Sequence, residues 1–340
     1  MIEKYFIEND LTLKRYRRFK KRKLAVFSVW GLLLAIILTF CAPLITNSKP
    51  LYLNYQGKSY FPIFKQYHPK DFSIENSMSI DYRELRLSDS DSIVWPPFQW
   101  DPFESNKSVD YYPSAPSAEN IFGTDDRGRD VFARLLYGFK YSISYALLVW
   151  AITYFVGTVI GAIMGYYGGK FDFISQRIVE ILSTVPQFFL LIILISIFTP
   201  NLFWLVIISS VFAWIPTSYY VRAEFLKNRK REFVEAARSM GASEASILFK
   251  HILPNSLTPL ITFTPFAIAA GISGLAGLDY LGFGLEVPTP SWGELLAQAQ
   301  KNYTIAPWLA IYPSICLFLT LTLLNLIGEG VRDAMDPNLS

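Results

Sequence analysis

The stretch "FVEAARSMGASEASILFKHILPNS", residues 233–256, lies between two long apolar runs yet is itself half polar, with charges at Glu235, Arg238, Glu244 and Lys250. Read as helix, residues 232–240 place Phe233, Ala236, Ala237 and Met240 at i, i+3, i+4 and i+7, one apolar stripe. Gly241 ends that helix, because glycine accepts the left-handed backbone of a helix C-terminus. Ser243 caps a second short helix. Ala245, Leu248, Phe249 and Ile252 form its apolar stripe, until Pro254 stops it. The expectation is a helix–glycine–helix unit with two apolar faces and a basic rim. Period alone leaves two readings: an amphipathic unit lying on a membrane surface, or a rigid knob that another protein grips.

The flanking sequence decides the setting. The chain has 340 residues, 52% of them hydrophobic. A bilayer core takes roughly 20 apolar residues per helix, and six such runs occur, at about 24–46, 142–166, 178–198, 202–221, 259–283 and 305–328. This predicts an all-α integral membrane protein with six transmembrane helices. The first run, "LAVFSVWGLLLAIILTFCAPLI", has no charge from Leu24 to Ile45 and no small-residue cleavage site, so it is expected to be a retained helix and not a signal peptide. The basic segment 1–23 precedes it, with "KRYRRFKKRK" from Lys14 to Lys23. Lys and Arg beside a span stay on the cytoplasmic side, which reads the run as topology, not nucleic-acid binding. Six spans then place both termini inside, together with the loop 222–258 and its Arg222, Lys227, Arg229, Lys230 and Arg231.

Between the first two spans, residues 47–138 form an external insert rich in Tyr, Trp, Pro, Ser and Asp, with turn signals in "VWPPFQWDPF" (94–103) and "YYPSAPS" (111–117). Residues 139–340 form a core of five helices. Gly157, Gly161 and Gly165 share one helix face, where backbones can approach closely. Glu180, Gln187 and Asp279 are polar residues in or near spans and candidates to line a pathway, Asp279 near its outer end.

Other chemistry is excluded. "QGKS" (56–59) lacks the earlier glycine of a phosphate-binding loop, since Tyr52 stands there. Cys41 and Cys316 lie in spans as packing residues. His68 and His251 are the only histidines, so no metal-ligand cluster and no Ser/His/Asp set is expected. The chain itself is expected to bind no cofactor or metal and to catalyse nothing; any energy comes from another chain.

"EAARSMGASEASILFKHILPN" resembles the cytoplasmic loop signature of ABC importer permeases, with Glu235, Ala236, Ala237, Gly241, Ile247, His251, Leu253 and Pro254 at the matching positions. "FGTDDRGRDVFARLLYG" (122–138), "GYYGGKFD" (165–172), "LGFGLEVPTPSWGELL" (281–296), "APWLAIYPS" (306–314) and the C-terminal "GEGVRDAMDPNL" are similar to the C-type subunit of the dipeptide and oligopeptide branch. "KPLYLNYQGKSYFPIFKQYHPKDF" (49–72) resembles the insert of the microcin C and long-peptide importers, the Yej-type permeases, where ordinary dipeptide permeases are shorter. The resemblance implies coupling helices that dock on an ATP-hydrolysing subunit. It also implies a homologous second permease, a pair of ATPase domains carrying ATP and Mg, a periplasmic peptide-binding protein, and a bacterial inner membrane. Nickel permeases share much of the same pattern. A proton-coupled secondary transporter would need ionisable residues near the midplane and often inverted repeats. Neither that class nor a membrane scaffold with a binding lobe would need an ATPase socket.

Overall fold

Apolar runs of membrane length demand helix, because a backbone in lipid must satisfy its hydrogen bonds within itself. The computed structural model describes residues 10–72, 80–88, 90–198 and 201–336; residues 337–339 of the C-terminal motif lie outside them. Helices α1 (Asp10–Lys21) and α2 (Lys23–Phe40) open the chain. After the insert come α3 (Val131–Tyr167), α4 (Gly169–Ser183), α5 (Gln187–Ile197), α6 (Leu202–Ala213), α7 (Ile215–Asn228) and α8 (Glu232–Ser239). The chain continues through α9 (Thr258–Tyr280), α10 (Trp292–Asn302) and α11 (Trp308–Met335).

Among the described residues, α2, α3, α9 and α11 are long and apolar enough to cross a membrane. The pairs α4–α5 and α6–α7 are bent by 69° and 43°, which makes up to six spans if each pair is one. Sequence periodicity had treated both runs as unbroken. Each breaks at a proline: Pro186 caps the start of α5 and Pro216 sits in the first turn of α7. A proline ring clashes with the carbonyl four residues before it and offers no N–H to the ladder.

Helix α3 is the axis of the bundle. At 37 residues it is about 55 Å long at the usual helical rise. Near its start, Leu135, Phe139 and Ile143 pack with Ile272, Trp292, Leu295 and Leu309 from α9, α10 and α11. Farther along, close approach replaces side-chain packing. A Cβ at Gly157 would fall 2.6 Å from Thr217 Cβ, one at Gly161 2.5 Å from the Ser218 carbonyl, and one at Gly165 2.5 Å from Phe225 Cβ. The glycine face therefore lies flat on α7.

The insert carries a small lobe of its own. Strands β1 (Tyr52–Tyr55), β2 (Lys58–Tyr60) and β3 (Ser92–Val94) form an antiparallel sheet with β1 central, pairing Leu53 with Tyr60 and with Ile93. Gln56 (φ 51°) and Gly57 (φ 75°) make the two-residue hairpin turn, which needs positive φ at both positions. "QGKS" is thus a turn. Leu53, Tyr55, Phe72 and Tyr82 form the lobe's core, with the Phe72 ring 4.8 Å from that of Tyr60 and 5.8 Å from that of Tyr82. Burial there pushes the Tyr82 hydroxyl up to about 12. At the other end of the insert, α3 begins at Val131, so residues 131–138, expected in the insert, belong to the helix. Asp130 sets that start, its carboxylate accepting the Ala133 N–H at 2.7 Å.

Candidate functional site

The segment 232–256 folds as α8, a tight turn, a single turn at Glu244–Ser246, a wider turn at Ile247–Ile252 and a last turn at Leu253–Ser256. Alanine and glutamate favour α8, and Gly241 (φ 79°) closes it. The Ala242 N–H bonds the Ala237 carbonyl (3.1 Å) and the Gly241 N–H bonds the Arg238 carbonyl (3.0 Å), the paired bonds of a glycine-terminated helix. Ser243 Oγ accepts the Ser246 N–H at 3.3 Å and starts the next turn. Pro254 does not stop that helix, contrary to the sequence expectation. It sits in the first turn of Leu253–Ser256, and ahead of it the Leu253 N–H reaches back to the Leu248 carbonyl, five residues away. The widened turn moves the carbonyl ladder out of the proline ring's way.

The two faces differ from the expected stripes. Val234, Ala237, Ile247 and Ile252 are buried against Ala162, Val221, Phe225 and Leu260 of α3, α7 and α9. Phe233, Met240 and Phe249, expected within apolar stripes, are 39%, 81% and 61% exposed. Of the first stripe only Ala237 points inward, because the inward direction of α8 runs through Val234. The signature residues divide accordingly: Ala237 and Ile247 are buried, His251 and Leu253 half-buried, and Glu235, Ala236, Gly241 and Pro254 exposed. His251 enters through its backbone, whose carbonyl accepts from Asn255 Nδ2 at 2.7 Å.

The knob is rooted at both ends. Asn228 Nδ2, at the end of α7, donates to Ser256 Oγ (3.0 Å), which donates to the Ile252 carbonyl (2.9 Å). Arg229 Nη1 donates to the Tyr166 carbonyl at the end of α3 (2.9 Å). Arg222 forks onto Asp172 of α4, at 2.5 and 2.7 Å, the bidentate geometry that makes such pairs specific. The sequence showed Arg222 and Arg229 only as topological charges. Tyr166 and Asp172 lie in the motif at 165–172, but their pairing with Arg229 and Arg222, like that of Asn228 with Ser256, had no signal, because the contacts join residues far apart in the chain.

The opposite end of α3 holds a buried charge cluster. Arg129 Nε donates to Asp125 (2.7 Å) and its Nη2 to Glu294 of α10 (3.0 Å). Arg134 pairs with Glu294 and Asp125 and donates to the carbonyls of Pro102 (2.9 Å) and Pro288 (3.2 Å). Both guanidinium groups are buried, at 2% and 0% exposure. Burial raises the Asp130 carboxyl above its ordinary range, against the hydrogen bonds from Asn120 and Ala133. Trp308 Nε1 donates to the Thr124 carbonyl (3.0 Å) and Trp292 Nε1 to the Leu135 carbonyl (2.8 Å). The motifs at 122–138, 281–296 and 306–314 thus converge on one brace.

The pathway candidates Asp279, Glu180 and Gln187 have different surroundings. Asp279 is buried, accepting the Leu285 N–H at 2.6 Å and the Ser291 hydroxyl, so its carboxylate holds the loop between α9 and α10. Glu180 pairs with Arg177 at 2.6 Å on a partly exposed face. Gln187 is exposed at the first residue of α5, past the bend.

A bundle of membrane-length helices, braced at one end and carrying a rooted knob with exposed apolar side chains at the other, defines a polytopic membrane protein. Residues 157–340 match the family described as "Binding-protein-dependent transport system inner membrane component", and residues 14–65 match "N-terminal TM domain of oligopeptide transport permease C". The chain is 40% identical to the inner membrane ABC transporter permease protein YejE of Escherichia coli, over 95% of this chain and 96% of that one. It is 34% identical to the peptidoglycan transport system permease protein YejE of Agrobacterium fabrum, over 96% and 93%. To the oligopeptide transport system permease protein OppC of Haemophilus influenzae it is 38% identical, over 66% and 73%. A structure titled for inward-facing conformations of the MetNI methionine ABC transporter shares the fold, with a TM-score of 0.50 and 18% identity over 59% of this chain and 96% of that one. The chain belongs to the ABC importer permeases, the inner-membrane components of binding-protein-dependent transport systems, in the Yej-type division of the dipeptide and oligopeptide group. It is a transport subunit, distinct from the subunit that hydrolyses ATP.

Proposed function

We propose that this permease moves peptides inward across the bacterial inner membrane, oligopeptides and long peptides or microcin C-like conjugates among them. It does so as one half of a heterodimer with a homologous permease. Its six spans leave both termini and the knob in the cytoplasm and the lobe-bearing insert in the periplasm, where a peptide-binding protein delivers the substrate. ATP and Mg bind the partner ATPase domains, whose closure pushes the knob. A ligand drives a switch only by binding its two states unequally. ATP does so on the partner, and this chain transmits the motion.

The observation that carries this reading is the division of the knob into a buried face and an exposed apolar tip, Phe233, Met240 and Phe249. Its roots at Asn228–Ser256 and Arg229–Tyr166 let a push on the tip move α7 and α3 as a rigid body. In this account Glu235, Ala236, Gly241 and Pro254 belong to the docking surface, and Ala237, Ile247, His251 and Leu253 shape it from beneath.

The test is uptake of labelled peptides of graded length into proteoliposomes holding the assembled complex, with and without ATP. ATP-dependent entry of peptides well beyond three residues is the expected result. Entry restricted to dipeptides overturns the long-peptide assignment, and uptake indifferent to ATP overturns the whole reading.

A further inference from the structure

Helix α1 has no part in that mechanism. Eight of the ten residues from Lys14 to Lys23 are Lys or Arg. Some are built into the fold: Arg18 Nη1 donates to the Asp336 carbonyl at 2.9 Å and Arg22 pairs with Asp333 at 2.5 Å. Arg17 and Lys20 have partners as well. Phe19 packs on Gly330 of α11, where an added Cβ would lie 3.0 Å from the ring. These contacts hold α1 against the last turns of α11.

Lys14, Lys21 and Lys23 are exposed. Beside them the surface turns apolar and aromatic along α2, with Leu24, Phe27 and Trp30 each about two-thirds or more exposed (68%, 71% and 68%). Tyr16 on α1 is 43% exposed. Cations followed at once by aromatic and then aliphatic side chains reproduce the cross-section of one leaflet: headgroup, interface, hydrocarbon. The carboxylate of Asp333 on the neighbouring α11 is already taken by Arg22, so it does not neutralise the lysine row.

We propose that α1 and the first residue of α2 form an interfacial segment whose exposed lysines, Lys14, Lys21 and Lys23, bind anionic phospholipid headgroups, fixing the bundle's depth at the foot of α2. Charge complementarity and continuity with the lipid-facing side of α2 select this occupant. Each basic residue held near an anionic surface strengthens association by about fivefold. The proposal rests on the membrane-embedded reading of α2 but not on peptide transport.

The experiment compares the complex bearing K14Q, K21Q and K23Q together with the unaltered complex. Phosphatidylglycerol, cardiolipin and phosphatidylethanolamine retained per chain are quantified by lipid mass spectrometry after purification in mild detergent. Thermal unfolding is followed in nanodiscs with and without phosphatidylglycerol. The unaltered complex is expected to be enriched in anionic lipid and stabilised by it. The glutamine variant loses the enrichment severalfold along with the stabilisation, and K14R, K21R and K23R together preserve both. Equal anionic enrichment in all three overturns the proposal. Loss of the ATPase subunit with lipid enrichment intact also overturns it, and assigns the row to a protein partner. A failure of peptide uptake with lipid binding as expected would strike the transport reading alone.

Discussion

Gly165 and Gly241 are both glycine for reasons the structure separates. An added Cβ at Gly241 meets nothing within 4 Å, and only its φ of 79° opposes a side chain. Gly241→Ala is therefore expected to cost about 1–2 kcal/mol, the steric cost of left-handed backbone. At Gly165 the new atom would lie 2.5 Å from Phe225 Cβ and 2.6 Å from the Arg222 carbonyl, neither the yielding end of a flexible chain. Gly165→Val should force α3 and α7 apart at a cost of about 1–3 kcal/mol or more and sharply reduce folded yield. Thermal unfolding in detergent, with recovery of monodisperse protein, separates the two; equal tolerance would contradict the packing. The helix-ending role of Gly241 was legible from its spacing alone. Whether Phe233 or Val234 of α8 faces inward was not, because both fall on acceptable apolar stripes and the surface behind them comes from α3, α7 and α9.

Helices were legible as elements, and their bends were not. Run length located all the membrane-length segments, but the 69° and 43° breaks depend on how Pro186 and Pro216 are accommodated. Pro254, no different locally, is absorbed by a widened turn. The motifs at 122–138 and 281–296 hold the residues of the brace between α3 and α10, but its pairings were invisible for a related reason: Asp125, Arg129, Arg134 and Glu294 are ordinary charges until folding buries them together. Glu294→Ala leaves two buried guanidinium groups short of a partner. It should cost about 3–5 kcal/mol, as breaking buried pairs does. Glu180→Ala removes only the partly exposed pair with Arg177 and should cost about 0–1 kcal/mol. Chemical or thermal unfolding of the two variants side by side gives the comparison, and a larger loss at Glu180 would reverse the assignment. Asn228→Ala removes one buried bond to Ser256, whose hydroxyl keeps its bond to the Ile252 carbonyl, and should cost about 0.5–1.5 kcal/mol. Its further signature is weakened coupling, read as ATP hydrolysis that no longer tracks peptide uptake.

At the scale of the whole molecule, α3 joins the clamped charges at one end to the knob at the other; in the proposed mechanism it is the lever and the knob its docking tip. The family resemblance named the residues of the knob, yet it did not distinguish those left exposed from those that seat it. Burial makes that distinction: Met240 and Phe249 are open, Ile247 and Ile252 are not. Substitution at an exposed site leaves the bundle intact, which isolates docking from folding. The decisive measurement is retention of the ATPase subunit on the purified membrane complex bearing Met240→Glu and Phe249→Glu, with recovery of the second permease as the internal control. The account predicts that the ATPase is lost by about tenfold or more, the equivalent of at least 1.4 kcal/mol, while the permease pair is recovered unchanged. Undiminished ATPase on the doubly charged knob would contradict the claim that this segment is where the energy enters.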